Sequence, residues 1–491
     1  MHQNHHHHHR LKSWDLLFPD SNNDKPPLNH VLLKMHHQNQ HPDDQTLANP
    51  NPKSSRSRSR SRSSSPSLRR PDPTSLLPDP LLLRVLSLLP PADPSLPLVC
   101  RRWLRLHGLL RHRLLLLSLP PPSSFSLPRL LSRFPNLSHL SLLPAAFSST
   151  PNPSPLLLSR GTLSLRLDHL SPTTFFRSSF LDSADIDSAL ETISQNCPNL
   201  LRISVANASG SGLLSLAERC TFLQEMELHH CTDHSLRPIS AFYNLQILKL
   251  VGSVDGLYSG PGVTDIGLTI LAHGCKRLVK LELSGCEGSY DGISAVGRCC
   301  PMLEELTITD HRMDPGWMAG LSFCGNLKTL RLQSCRRIDD NPGPMEHLGT
   351  CPTVETLMLQ RCQLRDRRSL RALFTMCEPA REVVFQNCWG LDDEMFGMAS
   401  ICRLVKFLSL EGCSQLTTEG LESVIMSWPD LKSLTVVSCN SIKDDAVTPA
   451  MSSLFSTLKE FKWRPDSKSL LAMSLPGTGM GKKGGRLFKR V

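Results

Sequence analysis

Seventeen cysteines and twenty histidines are the residues of this 491-residue chain best suited to chemistry. A cysteine thiolate can ligate zinc, act as a nucleophile or pair in a disulfide, and spacing separates these uses. Zinc sites built from cysteine need ligands two to four residues apart, and no Cys-x2-Cys occurs. A disulfide framework suits a short, secreted, loop-rich chain, whereas this one is long and 40% hydrophobic. His5 to His9 could hold a metal ion, but a polar low-complexity tract is the simpler reading. The chain has neither a phosphate-cradling glycine loop nor a Gly-x-Ser-x-Gly elbow. No catalytic residue, metal or cofactor is therefore expected. What the cysteines do have is a period.

Fifteen of them occupy a frame of the form Cys-x2-Leu-x2-Leu-x-Leu-x2-Cys. Clear copies are Cys275–Leu278–Leu281–Leu283–Cys286, Cys324–Leu327–Leu330–Leu332–Cys335, Cys351–Val354–Leu357–Leu359–Cys362 and Cys402–Val405–Leu408–Leu410–Cys413. Looser copies begin at Cys197, Cys220, Phe242, Cys300, Cys377, Trp428 and Phe455, making eleven frames 22 to 33 residues apart. Only Cys100 and Cys299 fall outside the frame. A repeat this short cannot bury its apolar side alone and must stack on its neighbours as a solenoid.

Elements follow from the periods inside one frame. Leu-x-Leu alternates as a strand does, so Leu281 and Leu283 face inward while Lys280, Glu282 and Ser284 face out. After the second cysteine the pattern turns helical, as in the stretches beginning at Val263, Leu391 and Leu416. Asp265, Asp393 and Thr418 are the expected N-caps. The pattern resembles the cysteine-containing subtype of the leucine-rich repeat across residues 197–466. Phe134 to Leu142 looks like one earlier repeat, and residues 145–196 are expected to hold one or two degenerate ones. On this reading the frame cysteines are small buried apolar residues, which places the protein in a reducing compartment, the nucleus and/or the cytoplasm.

Charge sits at the ends. Residues 1–70 carry 11 basic and 5 acidic side chains, residues 479–491 carry 5 basic and no acidic ones, and the remainder is nearly neutral at −1. The body is thus no basic nucleic-acid surface. Residues 1–72 are expected to be a disordered low-complexity tail and 469–491 a flexible basic one. The first holds an apolar cluster, Trp14 to Phe18, and an arginine–serine run, Arg56 to Ser63, whose charge phosphorylation would reverse. The longest apolar run, Leu114 to Leu117, is too short to span a bilayer, and no apolar signal peptide opens the chain, so a soluble protein is expected.

Before the repeats, Leu81, Leu82, Val85, Leu86 and Leu89 lie at helical spacing after Asp79-Pro80. Val99-Cys100-Arg101-Arg102-Trp103 follows, expected on a second helix capped by Asp93, with Pro97 liable to distort its first turn. Leu77-Pro78, Leu81, Leu82, Val85, Leu89, Val99, Cys100, Arg102 and Trp103 match the pattern of an F-box, which this segment resembles. The expected architecture is an α/β leucine-rich-repeat horseshoe over 118–468, preceded by a three-helix F-box over 73–117.

The joint resemblance implies a non-catalytic substrate receptor of an SCF-type ubiquitin ligase. The F-box would bind a Skp-type adaptor, and through it a cullin, using Leu77, Pro78, Leu81, Leu82, Val85, Leu89, Val99 and Trp103. The repeats would hold a target protein on their concave strand face. Its outward residues include Glu227, His229, Lys249, Lys280, Glu282, Arg331, Gln333, Gln360, Gln386 and Glu411. The inserted loop from Gly252 to Gly262 is a further candidate. The alternatives are an F-box scaffold acting outside ubiquitination and a nuclear Arg–Ser-tract protein.

Overall fold

The computed structural model describes residues 73–89, 95–116, 127–143, 183–252, 262–343 and 348–467. The histidine run, the Trp14 cluster, the Arg–Ser tract, most of the Gly252–Gly262 loop and the basic C-terminal tail lie outside the described residues.

Among the described residues, thirteen strands form one parallel sheet in which spatial neighbours follow chain order. Eleven of them belong to the eleven frames, from Arg202–Ala206 to Glu460–Arg464. Two short strands, Arg113–Leu115 and His139–Ser141, precede these. Pairing is in register from frame to frame. Leu248, Leu281, Leu306, Leu330, Leu357, Val383, Leu408 and Leu434 form one row across eight strands, all of them buried. Leu281 and Leu283 both point into this core, as a two-residue period requires. The fold is an α/β leucine-rich-repeat solenoid.

Three recurring devices close each repeat. The residue after most of the strands is left-handed, with φ between 42° and 65° at Asn207, His230, Gly285, Asp310, Ser334, Arg361, Asn387, Gly412 and Ser438. This corner turns the chain away from the strand and sends its N–H to the last carbonyl of the next strand, as Ser438 does to Val437's neighbour Arg464 at 2.9 Å. Buried carbonyls need donors, and the frame cysteines supply weak ones. Cys362 donates its thiol hydrogen to Leu332 O at 3.3 Å, Cys388 to Leu359 O at 3.2 Å and Cys402 to Cys377 O at 3.3 Å. The frame cysteines are all free and buried, with burial pushing the Cys275 and Cys402 thiols up to about 12. Several are thus more than apolar filler, because their thiols link one repeat to the one before it.

The third device is an aspartate that reaches the helix start of the following repeat. Asp265 accepts from Ser289 N at 2.8 Å, Ser289 Oγ at 2.7 Å and Gly292 N at 2.9 Å. Asp233 does the same to Thr264 and Gly267, and Asp393 to Thr417. A Cβ on Gly292 would lie 2.3 Å from Asp265 Oδ1, so only glycine admits the carboxylate. This corrects the expected N-caps. The capping side chains are Thr264, Asp392 and Thr417, each one residue earlier than Asp265, Asp393 and Thr418. Asp265 and Asp393 instead tie neighbouring repeats together.

The ends are treated differently. Trp463 is buried on the last strand, against Phe455 and Phe461 at 5.1 and 5.8 Å between ring centroids. At the other end the helix Arg101–Leu109 leads after three residues into the first strand. A Cβ on Gly108 would lie 2.2 Å from Arg133 O, and Asn136 Nδ2 donates to Leu109 O at 2.8 Å. The glycine thus allows the helix to seat directly on the first repeat.

Two expectations shift. The sheet begins at Arg113, inside the span assigned to the F-box, rather than at residue 118. Among the described residues His139–Ser141 pairs directly with Arg202–Ala206, and most of the expected degenerate repeats, residues 144–182, lie outside the described residues. The described part of the N-terminal module has two α-helices, Asp79–Leu88 and Arg101–Leu109, with 3-10 turns at Pro73–Leu76 and Leu96–Leu98, rather than three helices. Pro97 has no N–H for a helical ladder, so Leu96–Leu98 stays a 3-10 turn and the α-helix restarts after Cys100.

Candidate functional site

The N-terminal module is held by one ion cluster. Pro78 is the N-cap of the first helix and offers no side-chain acceptor, and Asp79 occupies the first turn, where a negative charge suits the helix N-terminus. Arg102 Nε donates to Asp79 Oδ1 at 2.8 Å and Arg105 Nη2 to Asp79 Oδ2 at 2.6 Å. Arg102 also bonds the carbonyls of Thr74 and Leu77. The second helix opens at Cys100, whose extended backbone lets its sulfur accept from Trp103 N at 3.4 Å.

Beneath this cluster lies a small core of Leu82, Leu86, Leu96 and Leu106, separate from the core of the solenoid. Leu77, Leu89 and Trp103 are half-buried against it. Leu82 is 1% exposed, which removes it from the expected adaptor contact: on this helix the side chain one position after Leu81 turns inward. Leu81, Val85 and Leu88 form the outward stripe, four and three residues apart, at 53%, 44% and 80% exposure. Pro78 and Val99 are exposed as well. Leu76, Leu88, Leu98 and Leu104 are also exposed, although the sequence did not single them out. Seven of the seventeen large exposed apolar side chains among the described residues belong to this one module. Apolar exposure this concentrated marks a contact surface.

On the strand face, alternate residues of successive strands lie in rows. Lys280 and Glu282 sit on one strand 3.0 Å apart, and Lys280 also reaches Glu305 at 3.4 Å. Arg331 Nη2 lies 3.3 Å from Met358 Sδ, while its buried Nε has no hydrogen-bond partner among the described residues. Gln333 and Gln360 are cross-strand partners, as are Gln386 and Glu411, which share a 2.9 Å hydrogen bond. Glu227 and His229 differ from the rest, since both are buried. Glu227 accepts from Ser204 Oγ at 3.0 Å, pairs with Lys249 at 2.8 Å and meets His229 Nε2 at 3.0 Å. Burial pushes the Glu227 carboxyl up, but the hydrogen bonds from His229 and Lys249 outweigh it and hold the group down at about 2. Glu227 and His229 therefore organise the strand face instead of standing free on it. The sequence could not show this, because it depends on which strands are neighbours.

Among the described residues no group of His, Cys, Asp and Glu could hold a metal ion, and no helix is long and apolar enough to cross a membrane.

No family model matches the chain. Over 244 residues it is 25% identical to the F-box protein SKIP1 of Arabidopsis thaliana, covering 49% of this chain and 66% of that protein, just under two thirds of the relative's length. Similar solved structures include an internalin (inlF) from Listeria monocytogenes, with a TM-score of 0.31 and 15% identity over 50% of this chain and 69% of that one. Another is the Rad7 and Elc1 complex in yeast, with a TM-score of 0.29 and 12% identity over 56% of this chain and 77% of that one. The chain is thus a leucine-rich-repeat solenoid with sequence similarity to an F-box protein.

Proposed function

We propose that the chain is the substrate-recognition subunit of an SCF-type ubiquitin ligase, working in the nucleus or cytoplasm. The module around Leu81 and Val85 binds a Skp-type adaptor, which brings a cullin, and the strand face holds the protein to be ubiquitinated. The observation that carries this reading is the exposed apolar stripe on a module seated at one end of the solenoid. The similarity to an F-box protein supports it. The receptor forms and breaks no bond. It raises the target's effective concentration beside the ubiquitin-carrying enzyme, so its contribution is one of proximity.

One feature supports the strand face as the target surface: Lys280, Glu282, Arg331 and Gln333 come from the middle of the sheet, where their side chains are half-buried. The test is co-purification from cells followed by ubiquitination of whatever the chain captures. Wild type should carry both adaptor and cullin. Replacing Lys280, Glu282, Arg331 and Gln333 together with Ala should lose the target and keep the adaptor. Adaptor without cullin would refute the ligase role and favour a scaffold outside ubiquitination.

A further inference from the structure

The charge of the chain's body is unevenly placed. Residues 73–143 carry eight arginines against two aspartates, whereas residues 144–478 carry 30 basic and 36 acidic side chains. Much of the excess falls on the N-terminal module. Asp79 is the one carboxylate among its described residues, and both oxygens are taken, by Arg102 and Arg105. Arg84 and Arg101 are exposed and form no ion pair among the described residues. Arginine keeps its proton throughout the working pH range, so these two groups give the module a standing positive potential.

Both arginines stand among the exposed apolar side chains. On the helix Asp79–Leu88, Leu81, Arg84, Val85 and Leu88 are three and four residues apart and turned away from the buried Leu82 and Leu86. On Arg101–Leu109 the same spacing joins Arg101 to Leu104 and Arg105, directly after the exposed Leu98 and Val99. Arginine interleaved with apolar side chains is the composition of a protein-docking surface, where lysine is depleted. Residues 73–111 hold five arginines and no lysine. The sign of the charge defines what sits opposite. A basic surface brought against Arg84 and Arg101 would be repelled, whereas one carrying carboxylates is attracted and oriented. The chain's own ends do not qualify, at +6 over residues 1–70 and +5 over 479–491.

We propose that Arg84 and Arg101 select an adaptor whose docking surface carries carboxylates among its apolar side chains, and that this attraction sets the rate of assembly. The proposal deepens the receptor reading and rests on it for the identity of the partner as a Skp-type adaptor. The test uses the full chain and a purified Skp-type adaptor, with association and dissociation followed by surface plasmon resonance. Raising sodium chloride from about 50 mM to about 500 mM should slow wild-type association about tenfold. Arg84→Glu and Arg101→Glu should each slow association about tenfold at low salt, and the double variant should lose the salt dependence. Arg84→Lys and Arg101→Lys should stay within about threefold of wild type, because a point charge is enough to steer. Lys459→Glu, at the entry to the last strand, should leave association within about twofold. L81A/V85A should instead speed dissociation. Circular dichroism melts of the arginine variants should match wild type, since both side chains are exposed. Wild-type association indifferent to salt, or R84E/R101E associating at the wild-type rate, would overturn the proposal while the receptor reading stands. Capture of phosphatidylserine vesicles by wild type but not by R84E/R101E, with adaptor association unchanged, would also overturn it and make a membrane the occupant. If wild type binds no adaptor at any salt concentration, the receptor reading and the proposal fall together.

Discussion

Leu81 and Leu82 are adjacent in sequence and opposite in consequence. Leu82 is one of four leucines in the module's private core. Truncating it to Ala should cost about 2–5 kcal/mol. A core of this size supplies roughly 3–5 kcal/mol, so the Leu82→Ala module should unfold and lose its adaptor for that reason alone. Leu81 and Val85 are about half exposed, so their truncation should move stability by under about 0.5 kcal/mol. Full burial of such a side chain is worth about 1.5–3 kcal/mol, and half of each remains to be gained on docking. The pair L81A/V85A should therefore lose about 2 kcal/mol of adaptor binding, roughly thirtyfold in Kd. Calorimetric titration of the purified chain with a Skp-type adaptor measures the binding, and a circular dichroism melt measures the fold. If L81A/V85A binds within about twofold of wild type, the exposed stripe is not the docking surface. If L82A stays folded and alone abolishes binding, the division of this helix into core and contact sides is wrong.

Further tests concern the solenoid. Asp265→Ala removes three hydrogen bonds and Gly292→Ala places a Cβ where the carboxylate sits, so each should destabilise by about 2 kcal/mol. Together they should cost less than their sum by about 1 kcal/mol, because the methyl fills the vacated space. A double-mutant cycle in urea checks this, and strict additivity would contradict the aspartate link. Among thiols, Cys100 and Cys299 should react in the native protein and the fifteen frame cysteines only after denaturation, as counted by mass spectrometry. Glu227 has a folded pKa lowered to about 2 from 4.5. Its contribution is thus full above pH 4.5 and is lost as pH falls through 4.5 toward 2. The stability gap between wild type and Glu227→Gln should close over that window, and a gap that widens in acid would reverse the assignment.

The cysteine–leucine frame by itself determined the solenoid, because its spacing sets both the strand period and the distance to the next copy. It marked Leu281 and Leu283 as core and Lys280 and Glu282 as outward, since a strand alternates whatever surrounds it. A separate pattern, with Leu81, Val85, Val99 and Trp103 in it, located the module before the repeats. The sequence misplaced what depends on neighbours. Asp265 looks like an N-cap within its own helix, yet its carboxylate serves Ser289 and Gly292 of the next repeat, 24 and 27 residues away. The Ser/Thr-x-x-Gly spacing at Thr264–Gly267, Ser289–Gly292 and Thr417–Gly420 was the available signal, legible only once the carboxylate is seen to fill the glycine's missing side chain. Leu82 reads like Leu81 because both are leucines on one helix, and only packing against Leu96 and Leu106 decides which is core. Periodicity is a local property and survives in one dimension, whereas contacts between repeats and the solvent left at their edges exist only once the stack has formed.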